Sequence, residues 1–534
     1  MQRPALTKMP AETSRATKLH YVLLAGVICV GLALRTAAID RASLWTDEAL
    51  TLIIAHLPVW DMIARPADPT PFLYYALHKW FVPDGADVTG VRSIALVAGM
   101  LTLPVVYAIG RLIFSRTGAL LATSLVTLSP ALIDYSQEAR AYGLLVMLVC
   151  TSAMFLLLSF RPRAQERQRA LIGFAVATVA AIYTHFVAIF WVAPALLILG
   201  ICLPRSADRQ GVRECGLVIA AIVVASIPEA WRVIRYATGT SVFNWLTQLT
   251  PSGFLDLLAR QWLPAGASPI GRWAGLVLVT ALLGLGLIRR KAIALWARQR
   301  PAGALIIAAL CLQPLALWLF GFLVAPVLME RTMLASLVGV ALLLVLMVEP
   351  LEPPTRMVVS LALAIAAIGS LMIAGTVRAK EDWRGAERRL ATLKPSLIFM
   401  CPYWQGPAVF AAGAATRSVP VVTIGASGAV LLSPRPGDRD AWHQAFYKRI
   451  YIAQSPVAVS DAPAPTAARR ILVSEFVLVT GTCSEAEMKT LSTWFRPERV
   501  EPIWQSRRAD NGVVIRISRW RSASPRSLTL IIPR

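Results

Sequence analysis

The sequence predicts a mainly α fold: a polytopic transmembrane helical bundle of about eleven spans with a small C-terminal α/β domain on the extracytoplasmic side. Three observations carry that expectation. Of 534 residues, 56% are hydrophobic and only 16% charged, with a mean hydropathy of +0.60, whereas an ordinary soluble domain is roughly a quarter charged. Apolar stretches approaching the roughly 20 residues that cross a hydrocarbon core recur as far as position 377. Clusters of basic residues fall between them in alternate loops, which is how charge orients helices in a bilayer.

The first span, 21–39, follows a basic tail with Arg3, Lys8, Arg15 and Lys18. It reads as a retained helix rather than a cleaved leader, because many spans follow and the cleavage cue at Ala37 and Ala38 is weak. Further spans are expected near 91–113, 117–134, 142–160, 169–184, 186–203, 215–234, 273–290, 302–325, 333–348 and 356–377. The loops holding Arg111 and Arg116, Arg161 to Arg169, Arg205 to Arg213, and Arg289 to Arg300 are cytoplasmic by the positive-inside rule, as is the N-terminus. The long loops 40–90 and 235–272 and the short turns 135–141, 184–185 and 326–332 then face outward. An odd number of spans also places everything after Arg378 outside. The expected division is a transmembrane domain over 1–377, with a catalytic first outer loop at 40–90, and a soluble extracytoplasmic α/β domain over 378–534.

In that second part 383–393 reads as a helix, 397–400 and 419–424 as short strands, and 405–415 as their link. Thr482-Cys483-Ser484-Glu485 has capping-box spacing before a helix, and Asp510-Asn511-Gly512 separates two strand-like runs as a hairpin turn does. Five of the seven cysteines (Cys29, Cys150, Cys202, Cys215, Cys311) lie in or beside apolar stretches and read as packing residues. Whether Cys401 and Cys483 pair is open, since a disulfide requires an oxidising compartment. The net charge of +23 fits anionic lipid better than nucleic acid, because no basic helix or aromatic-basic interleaving stands out.

The candidate chemistry collects at the outer ends of spans. Asp47 and Glu48 open a short helix after Ser43-Leu44-Trp45-Thr46. Acids in a first helical turn gain about 0.3–1 kcal/mol each from the helix dipole, so a structural role is the plain alternative. Adjacent helix residues point roughly 100° apart, so the two do not form a facing dyad; one can face a pocket while the other supports it. A carboxylate there can take the proton of an attacking hydroxyl. Asp68-Pro69-Thr70-Pro71-Phe72-Leu73-Tyr74-Tyr75 is an extended turn leading to aromatics, with His78 beyond it as a surface or packing histidine. Glu138 and Arg140 lie in a very short outer turn, where ions are either an interfacial pair or a phosphate site. His185, Glu330, Arg331 and Arg35 also sit at outer span ends. Their convergence would make a polar cavity whose guanidinium groups suit lipid phosphate.

These motifs in this order, namely Leu44-Trp45-Thr46-Asp47-Glu48-Ala49, Pro71-Phe72-Leu73-Tyr74-Tyr75, Leu128-Ser129-Pro130 leading to Tyr135-Ser136-Gln137-Glu138-Ala139-Arg140-Ala141-Tyr142, Tyr183-Thr184-His185 and Asp382-Trp383-Arg384, carry a resemblance. Over residues 20–395 the chain resembles the integral-membrane glycosyltransferases of the C-type fold, especially bacterial relatives of protein O-mannosyltransferases, lipid A aminoarabinose transferases and rhizobial lipopolysaccharide galacturonosyltransferases. The resemblance implies inverting transfer of a sugar from a polyprenyl-phosphate donor to an envelope glycolipid, polysaccharide or protein, in a bacterial inner membrane. It implies Asp47 as base with Glu48 as the second member of the catalytic pair, and Arg140, Arg331 and Arg35 at the donor phosphate. Glu138, Tyr74, Tyr75, His185 and Glu330 then bind substrate, and Glu48, Glu138 and His185 shape the acceptor site or a divalent-metal site that some relatives possess. Relatives often carry His-Pro-Pro-Leu-Tyr-Tyr where this chain has Thr70-Pro71-Phe72-Leu73-Tyr74-Tyr75, and that missing histidine leaves metal use open.

Two other classes fit a polytopic chain. A transporter or flippase places ionisable groups near the bilayer midplane, whereas these cluster at outer ends. A non-catalytic polysaccharide-assembly partner would keep the fold and act through the C-terminal domain.

Overall fold

The protein is described from a computed structural model covering residues 12–64, 70–161, 163–202, 209–239, 246–262, 280, 284, 286–374, 380–401, 419, 421–425, 428–431, 467–481, 483, 485–495, 497–507 and 514–532. The expected span 273–290 lies largely outside these residues. So do Asp68, Pro69, the expected boundary at 377–378, the link at 405–415, Thr482 and Ser484 of the capping box, and Asp510 to Gly512.

The helices, in chain order, are α1 (Glu12–Thr36), α2 (Thr46–Ala55), α3 (Val59–Ala64), α4 (Leu73–Phe81), α5 (Val88–Ile113), α6 (Arg116–Thr127), α7 (Pro130–Asp134), α8 (Tyr142–Ser159), α9 (Ala164–Thr184), α10 (Ile189–Cys202), α11 (Arg209–Gly239), α12 (Pro251–Trp262), α13 (Arg290–Gln299), α14 (Pro301–Leu323), α15 (Ala335–Val348), α16 (Pro353–Ala374), α17 (Trp383–Leu393) and α18 (Glu485–Phe495). Among the described residues six stretches are long and apolar enough to cross a membrane: Thr17–Thr36, Val88–Ile113, Tyr142–Ser159, Arg209–Ile234, Pro301–Leu323 and Pro353–Met372. Phe186–Cys202 and Ala335–Val348 are apolar but shorter. The expected stretch 117–134 is divided, because Pro130 stands at the start of α7 and the residue before a proline leaves the helical region. About eleven spans were expected, more than reach crossing length here.

Local chemistry sets the bundle's joints. Asp87 caps α5 by accepting from the Gly90 amide at 2.7 Å. The amide and hydroxyl of Ser115, before α6, donate to the Glu349 carboxylate at 2.8 and 3.1 Å, so the residue after α15 closes the start of α6. The residues of α5 that are buried, among them Val91, Ala95, Ala98, Thr102, Val106 and Ile109, recur at three- and four-residue spacing and meet α6 and α8. Gly110 lets α5 touch α6, since a Cβ there would lie 2.7 Å from Ala119 Cα. The outer helices are apolar on their exposed faces, with Val224, Leu361 and Met372 largely uncovered, as a bilayer-facing surface requires.

After the bundle comes a mixed six-stranded sheet, ordered β3-β2-β1-β4-β6-β5, from β1 (Ile398–Cys401), β2 (Val421–Gly425), β3 (Gly428–Leu431), β4 (Ala467–Thr480), β5 (Arg499–Gln505) and β6 (Arg516–Ile532). β1 runs parallel to β2 and β4, while β6 is antiparallel to β4 and β5. The two-residue alternation of strands splits β1 between two cores. Leu397, Phe399 and Cys401 pack with Phe476, Phe495 and Trp520. Ile398 and Met400 pack instead with Trp383 and Leu390 of α17, Ile53 and Ile54 of α2, and Tyr74 and Tyr75 of α4. The sheet thus shares a core with the loop that joins α1 to α5.

Cys401 and Cys483 form a disulfide that joins β1 to the start of α18 across 82 residues. Closing a loop of that length stabilises a fold by about 2–5 kcal/mol. Replacing both cysteines by serine is expected to lower the unfolding temperature of the sheet region, followed by hydrogen exchange of the β1 and β4 amides. Unchanged protection would mean that the bond does not form.

Candidate active site

Asp47 and Glu48 start α2, and their side chains diverge as the helical angle requires. Glu48 is wholly buried. Arg92, on α5, grips it with two parallel bonds, Nε to Oε1 at 2.7 Å and Nη2 to Oε2 at 2.6 Å. The Ala139 amide donates to Oε1 at 2.8 Å, the Trp45 amide to Oε2 at 3.3 Å, and Lys380 Nζ stands 3.6 Å from Oε2. Burial alone would raise this carboxyl, but Lys380, Arg92 and the Ala139 amide outweigh it and hold Glu48 below its ordinary value. Every approach to the Glu48 oxygens is thus taken by the protein. Expected as half of a catalytic pair, it has the surroundings of an anchor.

Asp47 is different. Its side chain is 27% exposed, and Oδ2 accepts from Arg331 Nη1 at 3.1 Å. Arg331 stands in the single 3-10 turn Glu330–Met333 between α14 and α15, over the ring of Tyr142 at 5.7 Å. Burial opposes its charge, yet Tyr142 and Asp47 outweigh burial and hold the guanidinium above its ordinary value. Arg140 comes from the turn before α8, and its Nη1 donates to the Tyr75 hydroxyl at 3.3 Å and the Asp47 carbonyl at 3.4 Å. One guanidinium group therefore pairs with an accessible carboxylate and a second reaches the backbone of the same residue.

The other expected residues divide. Glu138 is buried, with Oε2 3.3 Å from Lys380 Nζ and Oε1 without a hydrogen-bond partner among the described residues. The Tyr74 hydroxyl is also buried and unpartnered among them; burial and the Glu48 carboxylate push it well above its ordinary value, so it remains a donor. His185 packs against Tyr142, with ring centres 5.2 Å apart, and its Nδ1 accepts from the Val187 amide at 3.3 Å. The Glu330 carbonyl takes the Gln261 side-chain amide at 3.2 Å. His78 is a packing histidine, pushed down to about 4 by burial.

Arg35 does not reach Asp47's partners by any contact described. It is buried on α1 and donates to the carbonyls of Val126 and Thr127 at the end of α6, at 3.4 and 3.2 Å. Its closeness to the first loop in sequence misplaced it: the helix continues past it to Thr36, and its side chain turns inward to close a helix end.

Arg92 and Lys380 were missed. A lone arginine opening an apolar stretch reads as an interfacial charge, although a buried acid elsewhere in the chain demands a partner. Among the described residues no group of three or more His, Cys, Asp or Glu side chains is arranged to hold a metal ion. Of Glu48, Glu138 and His185, which the resemblance offered for an acceptor site or a metal site, Glu48 is gripped by Arg92, Glu138 faces Lys380 and His185 packs on Tyr142, so this donor set does not fit a metal and no step is assigned to one.

Residues 69–231 match the family described as dolichyl-phosphate-mannose-protein mannosyltransferase. No curated protein sequence matches the chain. Among solved structures, ArnT from Cupriavidus metallidurans in the apo state is similar with a TM-score of 0.54 at 13% identity, covering 94% of this chain and 98% of that one. The same protein bound to undecaprenyl phosphate gives 0.51 at 13% identity, covering 92% and 97%. The chain therefore has the fold of ArnT, and residues 69–231 within it match the dolichyl-phosphate-mannose-protein mannosyltransferase family.

Proposed function

We propose that this protein is a membrane glycosyltransferase that moves a sugar from a polyprenyl-phosphate donor to a hydroxyl of a cell-envelope acceptor, with inversion. The observation that carries the reading is the accessible Asp47 carboxylate held by Arg331 beside Arg140. The undecaprenyl phosphate bound to ArnT supports a lipid-phosphate donor.

In the reaction the acceptor oxygen attacks the anomeric carbon from the face opposite the phosphate. The new glycosidic bond forms as the bond from that carbon to the phosphate oxygen breaks. Asp47 takes the hydroxyl proton, and the electron pair of the broken bond leaves on the lipid phosphate. Arg140 and Arg331 meet the charge that grows on the leaving phosphate, where fixed guanidinium groups act more strongly than water. Glu48 positions Asp47 through the backbone of their shared helical turn. Tyr74, Tyr75, Glu138, His185 and Glu330 line or support the space around the reacting groups.

The site end of the bundle is assigned to the extracytoplasmic face of a bacterial inner membrane, with the N-terminus cytoplasmic and the sheet outside. Basic clusters around Arg111–Arg116 and Arg161–Arg169 support that orientation. So does a disulfide within the sheet region. The acceptor class is an envelope lipid, polysaccharide or protein.

The test is reconstitution with polyprenyl-phosphate sugars and an envelope-lipid acceptor. Transfer with inverted anomeric configuration is expected, and its absence across a broad panel of donors and acceptors would reject the enzyme reading. In the same assay Arg140→Gln is expected to lower kcat/KM for the donor roughly 10- to 100-fold, the worth of a hydrogen bond to a charged group. Arg140→Lys should fall between, since an ammonium keeps the charge without the bidentate fork. An unchanged kcat/KM in both would remove Arg140 from the phosphate.

A further inference from the structure

Residues 380–384 join the bundle to the sheet, and they fasten onto the first loop at several points. Lys380 Nζ lies 3.3 Å from Glu138 and 3.6 Å from Glu48, and 5.9 Å over the Trp45 ring. The Glu381 carboxylate accepts from Thr46 Oγ1 at 2.8 Å and from Trp383 Nε1 at 2.5 Å through one oxygen. Its carbonyl accepts from Ser43 Oγ at 2.6 Å, and Arg384 Nη2 donates to the Asp40 carbonyl at 2.7 Å. Trp383 is wholly buried in the core common to α2, α4, α17 and the sheet.

The target of these contacts is specific. Thr46 is the first residue of α2 and precedes Asp47 directly. Packing alone would not require Glu381, which is almost fully buried, because an apolar side chain fills space without the cost of desolvating a carboxylate. What polar contacts add is direction: Trp383 Nε1 holds in place the Glu381 oxygen to which Thr46 Oγ1 donates, and the Ser43 bond to the Glu381 carbonyl ties the approach to α2 at a second point. Catalysis is sensitive to that, since about 1 Å of misplacement costs about 100-fold in rate.

We infer that residues 380–384 form a clamp through which the sheet region positions the first turn of α2, with Glu381 and Lys380 as positioning residues for Asp47. The inference rests on the reading of Asp47 as the base. It gives the C-terminal region a part in the active-site frame, without contact to substrate.

The test compares the full-length wild type in lipid nanodiscs with Glu381→Ala, Glu381→Gln, Thr46→Val and the Glu381→Ala, Thr46→Val double variant. Glu381→Ala should lower kcat about 10- to 100-fold and leave the donor KM unchanged. Glu381→Gln keeps an acceptor oxygen for both donors and should restore most of the rate. The double variant should lose no more than Glu381→Ala alone, because both remove the same contact. Amide exchange in residues 46–55 should rise while that of residues 476–480 stays constant. Wild-type kcat in Glu381→Ala, losses that multiply in the double variant, or exchange that rises equally in both segments would each overturn the clamp. Should Glu381→Ala fail to fold, Thr46→Val carries the same expectations from the other side of the contact. Amide exchange needs no turnover, so a wild type that transfers no sugar would reject the glycosyltransferase reading while α2 could still be seen to loosen or not.

Discussion

Asp47→Asn is expected to lower kcat about 100- to 10,000-fold, the contribution of a positioned general base, with the donor KM nearly unchanged. Asparagine has the shape of aspartate and still presents an oxygen to Arg331 Nη1, which is 3.1 Å from Oδ2 in the wild type. It cannot take a proton at neutral pH. Because the side chain is partly exposed and sits at a helix start, the change should leave folding intact. The measurement is steady-state transfer from a polyprenyl-phosphate sugar, with thermal unfolding of both proteins as the control. Transfer at the wild-type rate would remove Asp47 from the chemistry. A rise in donor KM at constant kcat would instead make Asp47 a holder of Arg331, and so of the phosphate.

What the sequence disclosed depended on the range of the interaction. The bundle was legible because hydropathy is a property of each stretch by itself: most expected stretches hold a described helix, although 117–134 is divided at Pro130, 273–290 lies largely outside the described residues, and six described stretches reach crossing length. The strands at 397–400 and 419–424 were legible for the same reason, whereas the long β4 was not named, since its partners β1 and β6 lie far along the chain. In the site, divergence of Asp47 and Glu48 follows from the helical angle alone. Which of them faces inward does not. That was decided by Arg92, 44 residues away, and by Lys380, beyond the last apolar helix. Such pairings are set by where helices cross, and no local pattern encodes them. Arg35 shows the converse, since nearness in sequence to the first loop suggested a shared site that the inward turn of its side chain does not make.

Arg92→Met is expected to be the most destabilising single substitution in this region. Its guanidinium donates to both Glu48 oxygens and to the carbonyls of Ile39, Ala42 and Ser43, at 2.5, 3.2 and 3.1 Å. Removing it leaves a wholly buried carboxylate with Lys380 as its remaining cation at 3.6 Å. Breaking one side of a buried pair costs about 3–5 kcal/mol, mostly because the other charge is stranded. Arg92→Met with Glu48→Gln should therefore recover part of the loss, and a double variant as unstable as the sum of the singles would mean that the pair is not coupled. Acid should reveal the same pair. Since Glu48 is held below its ordinary value of 4.5 in the folded protein, the unfolded chain binds its proton first as pH falls. The stability that Glu48 confers is thus complete above the ordinary carboxylate range and is lost as pH drops through and below it. In Glu48→Gln that acid-side loss should shrink, measured by thermal unfolding across the acidic range, and an unchanged slope would place the titration on another carboxylate.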